Sequence, residues 1–224
     1  MAGTCRGIIT DWGGVLTAPL PDTIGAWLAA ERIDEDHYRT VMRSWVGGAY
    51  GGNGGPGAPG NPIHALERGE VATEEFERVL AAALRLVDGG PVTAEGLITR
   101  MFAGFTPVEE MYAVLRRARD HGMRTCLLSN SWGNVYPREL FDATFDAVVI
   151  SGEVGMRKPE PEIFRHACDA AGLAPAECVF IDDIEHNVAA AVEVGMTGIL
   201  HRDPDETRAR LAETCGVPLD PLPG

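Results

Sequence analysis

Residues 7–15, GIITDWGGV, place an aspartate directly after a short apolar run and a glycine pair two residues later. Near-continuous apolar runs are typical of strands in a parallel sheet, because both faces of such strands are buried. In an open α/β sheet, ligands bind at the carboxyl ends of the strands. We therefore expect the Asp11 carboxylate to emerge at such an end, where Gly13 and Gly14 let the backbone turn sharply.

Similar runs recur along the second half of the chain, and helical spacing separates them. The further strands are predicted at 125–129, 147–151, 179–182 and 197–201. The helices are predicted at 108–121, 159–171, 184–194 and 204–214. This alternation predicts an α/β fold whose core is a doubly wound, Rossmann-like parallel sheet.

Residues 17–106 interrupt the alternation, since they show helical periodicity and no clear strand. Helices are predicted at 23–32, 35–46, 73–87 and 94–102, with Thr73 as the N-cap of the third. We expect this segment to form an all-α helical cap inserted into the core. The α/β core would then consist of residues 1–16 and 107–224.

A glycine-rich segment at 47–60 lies within the predicted cap and contains eight glycines. Ordering such a backbone carries a high entropy cost. It is predicted to be either a flexible linker between cap helices or a mobile lid edge over the active site, and the sequence leaves both open.

Three more segments place polar side chains beside predicted strands: CLLSNS at 126–131, MRKPEPEIF at 156–164 and VFIDDIEHN at 179–187. With Asp11 they supply hydroxyl and amide donors, a cation and a second pair of carboxylates, which is the inventory that phosphoryl transfer needs. Adjacent carboxylates at Asp182 and Asp183 repel each other unless a cation lies beside them. Mg²⁺ suits the position because it prefers oxygen ligands.

These four segments, in this order, resemble the haloacid dehalogenase superfamily of hydrolases. The closest resemblance is to the phosphatase-like subfamily I members with a helical C1 cap, including the N-terminal phosphatase domains of soluble epoxide hydrolases. It covers residues from about 7 to 201. The resemblance implies that Asp11 is the nucleophile and forms an aspartyl-phosphate.

The resemblance also implies a metal site and its neighbours. Asp11, the backbone carbonyl of Gly13 and Asp183 would be direct Mg²⁺ ligands. Asp182 would bind the metal through water or orient Lys158, and Asn187 would steady the site. Lys158 would neutralise the nucleophile and the transferring phosphoryl group. The remaining phosphate-binding candidates are Ser129, Asn130, Gly14 and Arg157.

The chain departs from the superfamily's pattern at Gly13, where its phosphatases usually carry a second aspartate as general acid and base. Losing such a group typically slows turnover by about 10²–10⁴-fold. His37, His64 and Tyr50, all in the predicted cap, are conceivable substitutes that the sequence does not rank.

Three functions remain open at this point. The first is a Mg²⁺-dependent phosphatase of a small phosphorylated metabolite. The second is a 2-haloacid dehalogenase-like hydrolase, in which the same aspartate displaces halide without metal; the Asp182-Asp183 pair argues against it. The third is a catalytically weak binding or regulatory protein, which Gly13 motivates.

The composition of the chain limits the kinds of partner and the cellular location that we expect. The net charge of −14 disfavours nucleic acid, whose binding depends on clustered basic residues. The chain lacks a run of roughly 18 apolar residues and a secretory leader, so neither membrane insertion nor secretion is expected. Five cysteines without CxxC spacing indicate reduced thiols in a cytoplasmic protein. The sequence leaves open whether the protein is a monomer or a homodimer.

Overall fold

The computed structural model describes residues 5–50, 60–133 and 136–219. Its sheet has five parallel strands in the order β3-β2-β1-β4-β5. The strands are β1 (Gly7–Thr10), β2 (Arg124–Ser129), β3 (Ala147–Ile150), β4 (Cys178–Asp182) and β5 (Thr197–Leu200). The first strand is therefore central, and β2 and β4 flank it.

Helices cover both faces of this sheet and fill the insertion after β1. Those of the insertion are α1 (Leu20–Glu31), α2 (Glu35–Tyr50), α3 (Pro62–Glu67), α4 (Thr73–Ala83) and α5 (Leu97–Phe102). Those that follow are α6 (Glu109–Asp120), α7 (Arg138–Thr144), α8 (Ser151–Val154), α9 (Pro161–Ala171), α10 (Glu185–Glu193) and α11 (Pro204–Cys215). The predicted fold class, a doubly wound parallel sheet with an inserted helical cap, is confirmed.

Two cores form because successive strand residues point to opposite faces of the sheet. Ile8 is fully buried in the cluster that contains side chains of α6, α7 and α11. Its neighbour Ile9 is fully buried in the opposite cluster, with side chains of α9 and α10. The central strand thus holds both helical layers together, which fixes the position of the residue that follows it.

The cap has a third core of its own, built around fully or nearly fully buried side chains such as Phe76, Leu80 and Leu97. Its two connections to the sheet domain run side by side. Thr17 and Pro107 form an antiparallel bridge, and the N–H of Ala18 donates to the carbonyl of Thr106 at 2.9 Å.

Several predicted boundaries in the cap were wrong. Helix α4 ends at Ala83, not at 87, because Leu84 is extended and Leu86 pairs in an antiparallel bridge with Ile33. The N-cap position of α4 is Ala72, and Thr73 is its first residue. Helix α5 begins at Leu97, after Gly96 in the left-handed conformation.

Helix α3 was not predicted, although the sequence carries its start signal. Asn61 caps the helix by accepting hydrogen bonds from the N–H groups of Ile63 and His64, and Pro62 is the first residue. Of the glycine-rich segment 47–60, residues 47–50 extend α2 and residues 51–59 lie outside the described part of the chain. The linker and lid interpretations therefore both stay predictions.

Candidate active site

The site forms where β1, β2 and β4 end. Asp11 follows the last residue of β1, and its backbone N–H donates to the carbonyl of Ile181 at 2.8 Å. This bond continues the parallel pairing of β1 with β4, so Asp11 lies beside Asp182, the last residue of β4. Two acidic residues far apart in the sequence are thereby brought together at one edge of the sheet.

Lys158 lies between these two acidic side chains. Its Nζ is 2.8 Å from Oδ1 of Asp11 and 2.7 Å from Oδ2 of Asp182, and the lysine is 1% exposed. Asn130 fixes the lysine's backbone with two hydrogen bonds, from Nδ2 to the carbonyl at 3.1 Å and from the N–H to Oδ1 at 2.9 Å. The amide of Asn130, predicted to bind phosphate, therefore holds the loop that carries Lys158.

Asp183 completes a cluster of three carboxylates with Asp11 and Asp182, whose candidate ligand atoms all lie within 4.8 Å of one another. Asp182 accepts bonds from the N–H of Ile184 and from Nδ2 of Asn187. In contrast, Oδ1 of Asp183 is buried and has no hydrogen-bond partner among the described residues. A buried carboxylate oxygen without a donor fits a site for a cation.

The electrostatics of the cluster also favour a cation. Burial raises the pKa of Asp11 to about 7, although Lys158 opposes the shift. Burial, with the charge of Asp182, raises the pKa of Asp183 to about 6. Burial lowers the pKa of Lys158, but Asp11 and Asp182 outweigh it and the net shift is upward. Three carboxylates around one ammonium leave an excess of negative charge, which a divalent cation would offset.

The two glycines after Asp11 occupy very different surroundings. Gly14 has a φ of +75°, and a Cβ there would lie 2.4 Å from Oδ2 of Asp183. Its N–H donates to Oγ1 of Thr17 at 3.0 Å. Gly13 lines a cavity that lies between the carboxylate cluster and the cap. A Cβ at Gly13 would meet only methyl groups of Leu20, at 3.6 and 3.9 Å. Only Gly14 is therefore a position that requires glycine.

Ser129 lies at the end of β2 and is 2% exposed. Its Oγ accepts a hydrogen bond from the hydroxyl of Tyr136 at 3.0 Å. Tyr136 also packs against the ring of Trp12, with centroids 4.8 Å apart. Sequence reasoning missed Tyr136, because no motif marks a single tyrosine in an irregular segment.

Arg157 is fully buried and is not among the residues that line the cavity. Its Nε is 2.5 Å from Oε2 of Glu67, on cap helix α3. Arg68, next to Glu67, pairs with Glu160 on the core. The structure thus places Arg157, predicted to bind phosphate, in an ion pair between the core and the cap.

A cavity of about 610 Å³ lies between the carboxylate cluster and the cap. Asp11, Lys158 and Asp183 line it from the core, and Ser129, Asn130 and Asn187 also contribute. Helices α1, α2 and α5 supply apolar side chains, including Leu20, Ile24, Met42 and Phe102, and α2 adds Arg39 and Arg43. The volume is within the range of small-molecule sites.

Two of the three predicted substitutes for an acid at Gly13, His37 and His64, do not line this cavity. His37 has Nε2 2.9 Å from the carbonyl of Ala83, within the cap. His64 is buried in α3, and neither of its ring nitrogens has a partner among the described residues. Tyr50 is in the last turn of α2, where side chains lie outside the described part of the chain.

The haloacid dehalogenase-like hydrolase family matches residues 5–195, which is most of the chain. The chain belongs to this family. The resemblance inferred from the four segments is therefore confirmed, and the protein is a hydrolase of this superfamily.

Curated relatives of this hydrolase include phosphatases. Bifunctional epoxide hydrolase 2 of Rattus norvegicus is 32% identical over 127 residues, which are 52% of this chain and 22% of the rat protein. Phosphoserine phosphatase of Thermus thermophilus is 36% identical over 114 residues, which are 48% of this chain and 46% of that protein. The chain thus matches less than half the length of either relative.

A solved structure shares the fold. A haloacid dehalogenase family enzyme from Bacteroides thetaiotaomicron, in complex with magnesium and inorganic phosphate, has a TM-score of 0.56 to this hydrolase. The two are 21% identical, and the match covers 88% of this chain and 94% of that one. Within the described residues, none of the helices is both long enough and apolar enough to cross a bilayer.

Proposed function

We propose that this hydrolase is a Mg²⁺-dependent phosphatase of small phosphorylated molecules that works through an aspartyl-phosphate on Asp11. The observation that carries the proposal is the position of Lys158, whose ammonium contacts both Asp11 and Asp182. Beside it lies Oδ1 of Asp183, a buried carboxylate oxygen with no hydrogen-bond partner in the described part of the chain. The phosphatases among the relatives support the same reaction class.

In the first step, an oxygen of Asp11 attacks phosphorus, a P–O bond forms, and the ester P–O bond breaks with its electron pair on the leaving oxygen. Lys158 neutralises the attacking carboxylate and the phosphoryl oxygens, which would otherwise repel each other. Asp182 keeps the ammonium in place, and Asn130 keeps the lysine's backbone in place.

In the second step, water attacks the phosphorus of the aspartyl-phosphate, and the acyl oxygen of Asp11 leaves as a carboxylate. Both protons of the water stay on the released phosphate, which then gives one to the alcohol oxyanion from the first step. The sum is hydrolysis of the ester with Asp11 restored.

Mg²⁺ fits the carboxylate cluster, with Asp11, Asp183 and the carbonyl of Gly13 as its proposed ligands and Asp182 as the residue that orients Lys158. When bound, it would supply positive charge to the phosphoryl oxygens during transfer. Asn187 would steady the site through its bonds to Asp182.

The test is phosphate release from a panel of phosphomonoesters, with Mg²⁺ and with EDTA. We expect release only with the metal, loss of release in Asp11→Asn, and a phosphate mass on the peptide that contains Asp11 after rapid quenching. Full activity in EDTA would contradict the proposal. Halide release from 2-haloacids without metal would support a dehalogenase instead.

A further inference from the structure

The cavity above the carboxylate cluster has two unlike ends. Its floor carries the charged groups of the proposed mechanism, Asp11, Lys158 and Asp183. Its cap side is formed largely by half-buried apolar side chains such as Leu20, Ile24 and Met42. A substrate would therefore sit with its phosphate at the floor and the rest of the molecule against apolar walls.

Five aromatic rings run across this cavity at the junction of core and cap. Neighbouring centroids are 4.8 Å apart for Tyr136 and Trp12, 5.6 Å for Trp12 and Phe105, 4.7 Å for Phe105 and Phe102, and 6.3 Å for Phe102 and Trp132. All five side chains line the cavity. We call this set the aromatic belt. A ring of the substrate could make offset or edge-to-face contacts with it.

The size and polarity of the cavity disfavour a small polar substrate. A phosphate ester with a short hydrophilic body would occupy the floor and leave the belt in contact with water. A substrate with a large apolar body would remove that surface from water, which is favourable in proportion to the area covered. The apolar walls therefore favour substrates that have a larger apolar surface.

Among the described residues, the wall near Asp11 offers no strong proton donor for the leaving oxygen. Gly13 stands where the family's usual acid would be, and the lining residues that the structure describes include no histidine. Glu67 accepts bonds from Arg157 and from Nε1 of Trp132. Burial raises the pKa of Tyr38 and of Tyr136 to about 12, which makes both weak acids at neutral pH. An ester whose oxygen leaves without a proton suits this wall.

We propose that the substrates are phosphate monoesters of phenols with two or more rings, bound with the phosphate at the carboxylate cluster and the rings against the aromatic belt. This inference rests on the proposed phosphatase function. The bond that breaks is the P–O bond to the phenol, and the phenolate carries away the electron pair. It collects its proton afterwards from the released phosphate.

The test compares kcat/KM for four esters with Mg²⁺: 1-naphthyl, phenyl, decyl and propyl phosphate. We expect naphthyl to exceed phenyl phosphate by about 10- to 100-fold, because the second ring adds buried apolar area while the leaving group stays a phenol. We expect naphthyl to exceed decyl phosphate by at least about 100-fold, because the alkoxide needs the missing acid. Equal kcat/KM values for naphthyl and phenyl phosphate, or for naphthyl and decyl phosphate, overturn the inference.

A variant in the belt supplies the structural test. Phe105→Ser should lower the naphthyl value more than the phenyl value, so that their ratio falls toward one. Val79→Asn is the matched control, since Val79 is 43% exposed on the cap and does not line the cavity. An unchanged ratio in a folded Phe105→Ser protein contradicts the role of the belt.

A binding measurement separates this inference from the proposed function. Asp11→Asn should bind 1-naphthyl phosphate about 10- to 100-fold more tightly than phenyl phosphate in calorimetry with Mg²⁺ present, whether or not Phe105→Ser folds. If all four esters are hydrolysed with similar kcat/KM, the proposed phosphatase function is supported and the proposed substrate class is wrong. Absence of turnover overturns the phosphatase, and equal binding of the two aryl esters then overturns the substrate class as well.

Discussion

The carboxylate of Glu67 and the guanidinium of Arg157 join the cap to the catalytic loop through a fully enclosed ion pair. Glu67 is the last residue of α3, and Arg157 directly precedes Lys158. The side chains are 4% and 0% exposed. Burial raises the pKa of Glu67, while the adjacent Arg157 opposes the shift. A displacement of α3 would therefore be felt at the residue next to the lysine.

Glu67→Gln should lower the free energy of unfolding by about 3–5 kcal/mol, because it removes the carboxylate charge that pairs with the buried guanidinium of Arg157. It should also lower kcat, since the ion pair with Glu67 anchors Arg157, the residue that directly precedes Lys158. Urea denaturation and steady-state kinetics measure the two effects. The matched control is Glu153→Gln, which removes the exposed partner of Arg138 and should change stability by less than about 1 kcal/mol.

A double variant tests whether charge or shape matters at this pair. Glu67→Met with Arg157→Leu replaces both charges by apolar groups and should recover most of the lost stability. If the double variant were as unstable as Glu67→Gln, the loss would come from packing and not from the removed carboxylate charge.

Asp183→Asn should weaken Mg²⁺ binding by at least about tenfold, since even residues that only support metal ligands have effects of this size. Titration calorimetry on the folded variant measures this without relying on turnover. Asp142→Asn serves as the control, because Asp142 is exposed on α7 and remote in sequence from the cluster. Unaltered affinity in Asp183→Asn would remove this residue from the metal site.

Gly13→Asp should raise turnover of alkyl phosphates, by at most about 10²–10⁴-fold, because it supplies a carboxyl group that can protonate the leaving oxygen. The backbone of Gly13 lies outside the left-handed region, and the nearest atoms to an added Cβ are Leu20 methyls at 3.6 and 3.9 Å. Kinetics with propyl and phenyl phosphate give the measurement. If turnover of propyl phosphate did not rise, the lack of an acid at position 13 would not be what limits the wild-type protein.

The contrasting variant is Gly14→Ala. Its Cβ would lie 2.4 Å from Oδ2 of Asp183 at a φ of +75°, so we expect a loss of stability greater than about 1 kcal/mol and weaker Mg²⁺ binding. Thermal unfolding with and without Mg²⁺ distinguishes it from Gly13→Asp, which should unfold close to the wild-type temperature.

We expect His64 to make the stability of the fold sensitive to acid. Burial, with the nearby charges of Arg157 and Arg68, lowers its pKa from 6.5 to about 4. Between these values the unfolded chain binds a proton that the folded protein does not, so stability falls as the pH drops through this window. His64→Leu should remove that part of the pH dependence in urea unfolding at pH 7 and pH 4.5. His121→Leu, at an exposed site, should retain it.

The motif residues could be found from the sequence because all strands of a parallel sheet run in the same direction. Their carboxyl ends therefore lie at the same edge of the sheet. Asp11 follows β1, Ser129 ends β2 and Asp182 ends β4, so an apolar run before a polar residue is enough to predict that they meet. The near-continuous apolar runs also predicted a sheet buried on both faces.

The cap contacts could not be found in this way. Glu67 pairs with a residue 90 positions later, and no local pattern encodes such a distance. The five rings of the aromatic belt come from the loop after β1, the last residue of α5, the loop after α5 and two positions beyond β2. Each of them looks ordinary alone in the sequence. Helix α3 was a missed signal, since Asn61-Pro62 is a recognisable helix start.

The antiparallel bridge between Thr17 and Pro107 brings the two ends of the insertion together, so the insertion could be exchanged as a unit. Bridged residues in antiparallel chains have Cα atoms about 4.5–5.5 Å apart, so a few residues could join the chain across this point. We expect the insertion to be replaceable by that of a relative, or by a short glycine linker, without rebuilding the sheet. Evolution could then alter which molecules reach the aspartate by recombination at one crossing, while the nucleophile and its lysine stay in place.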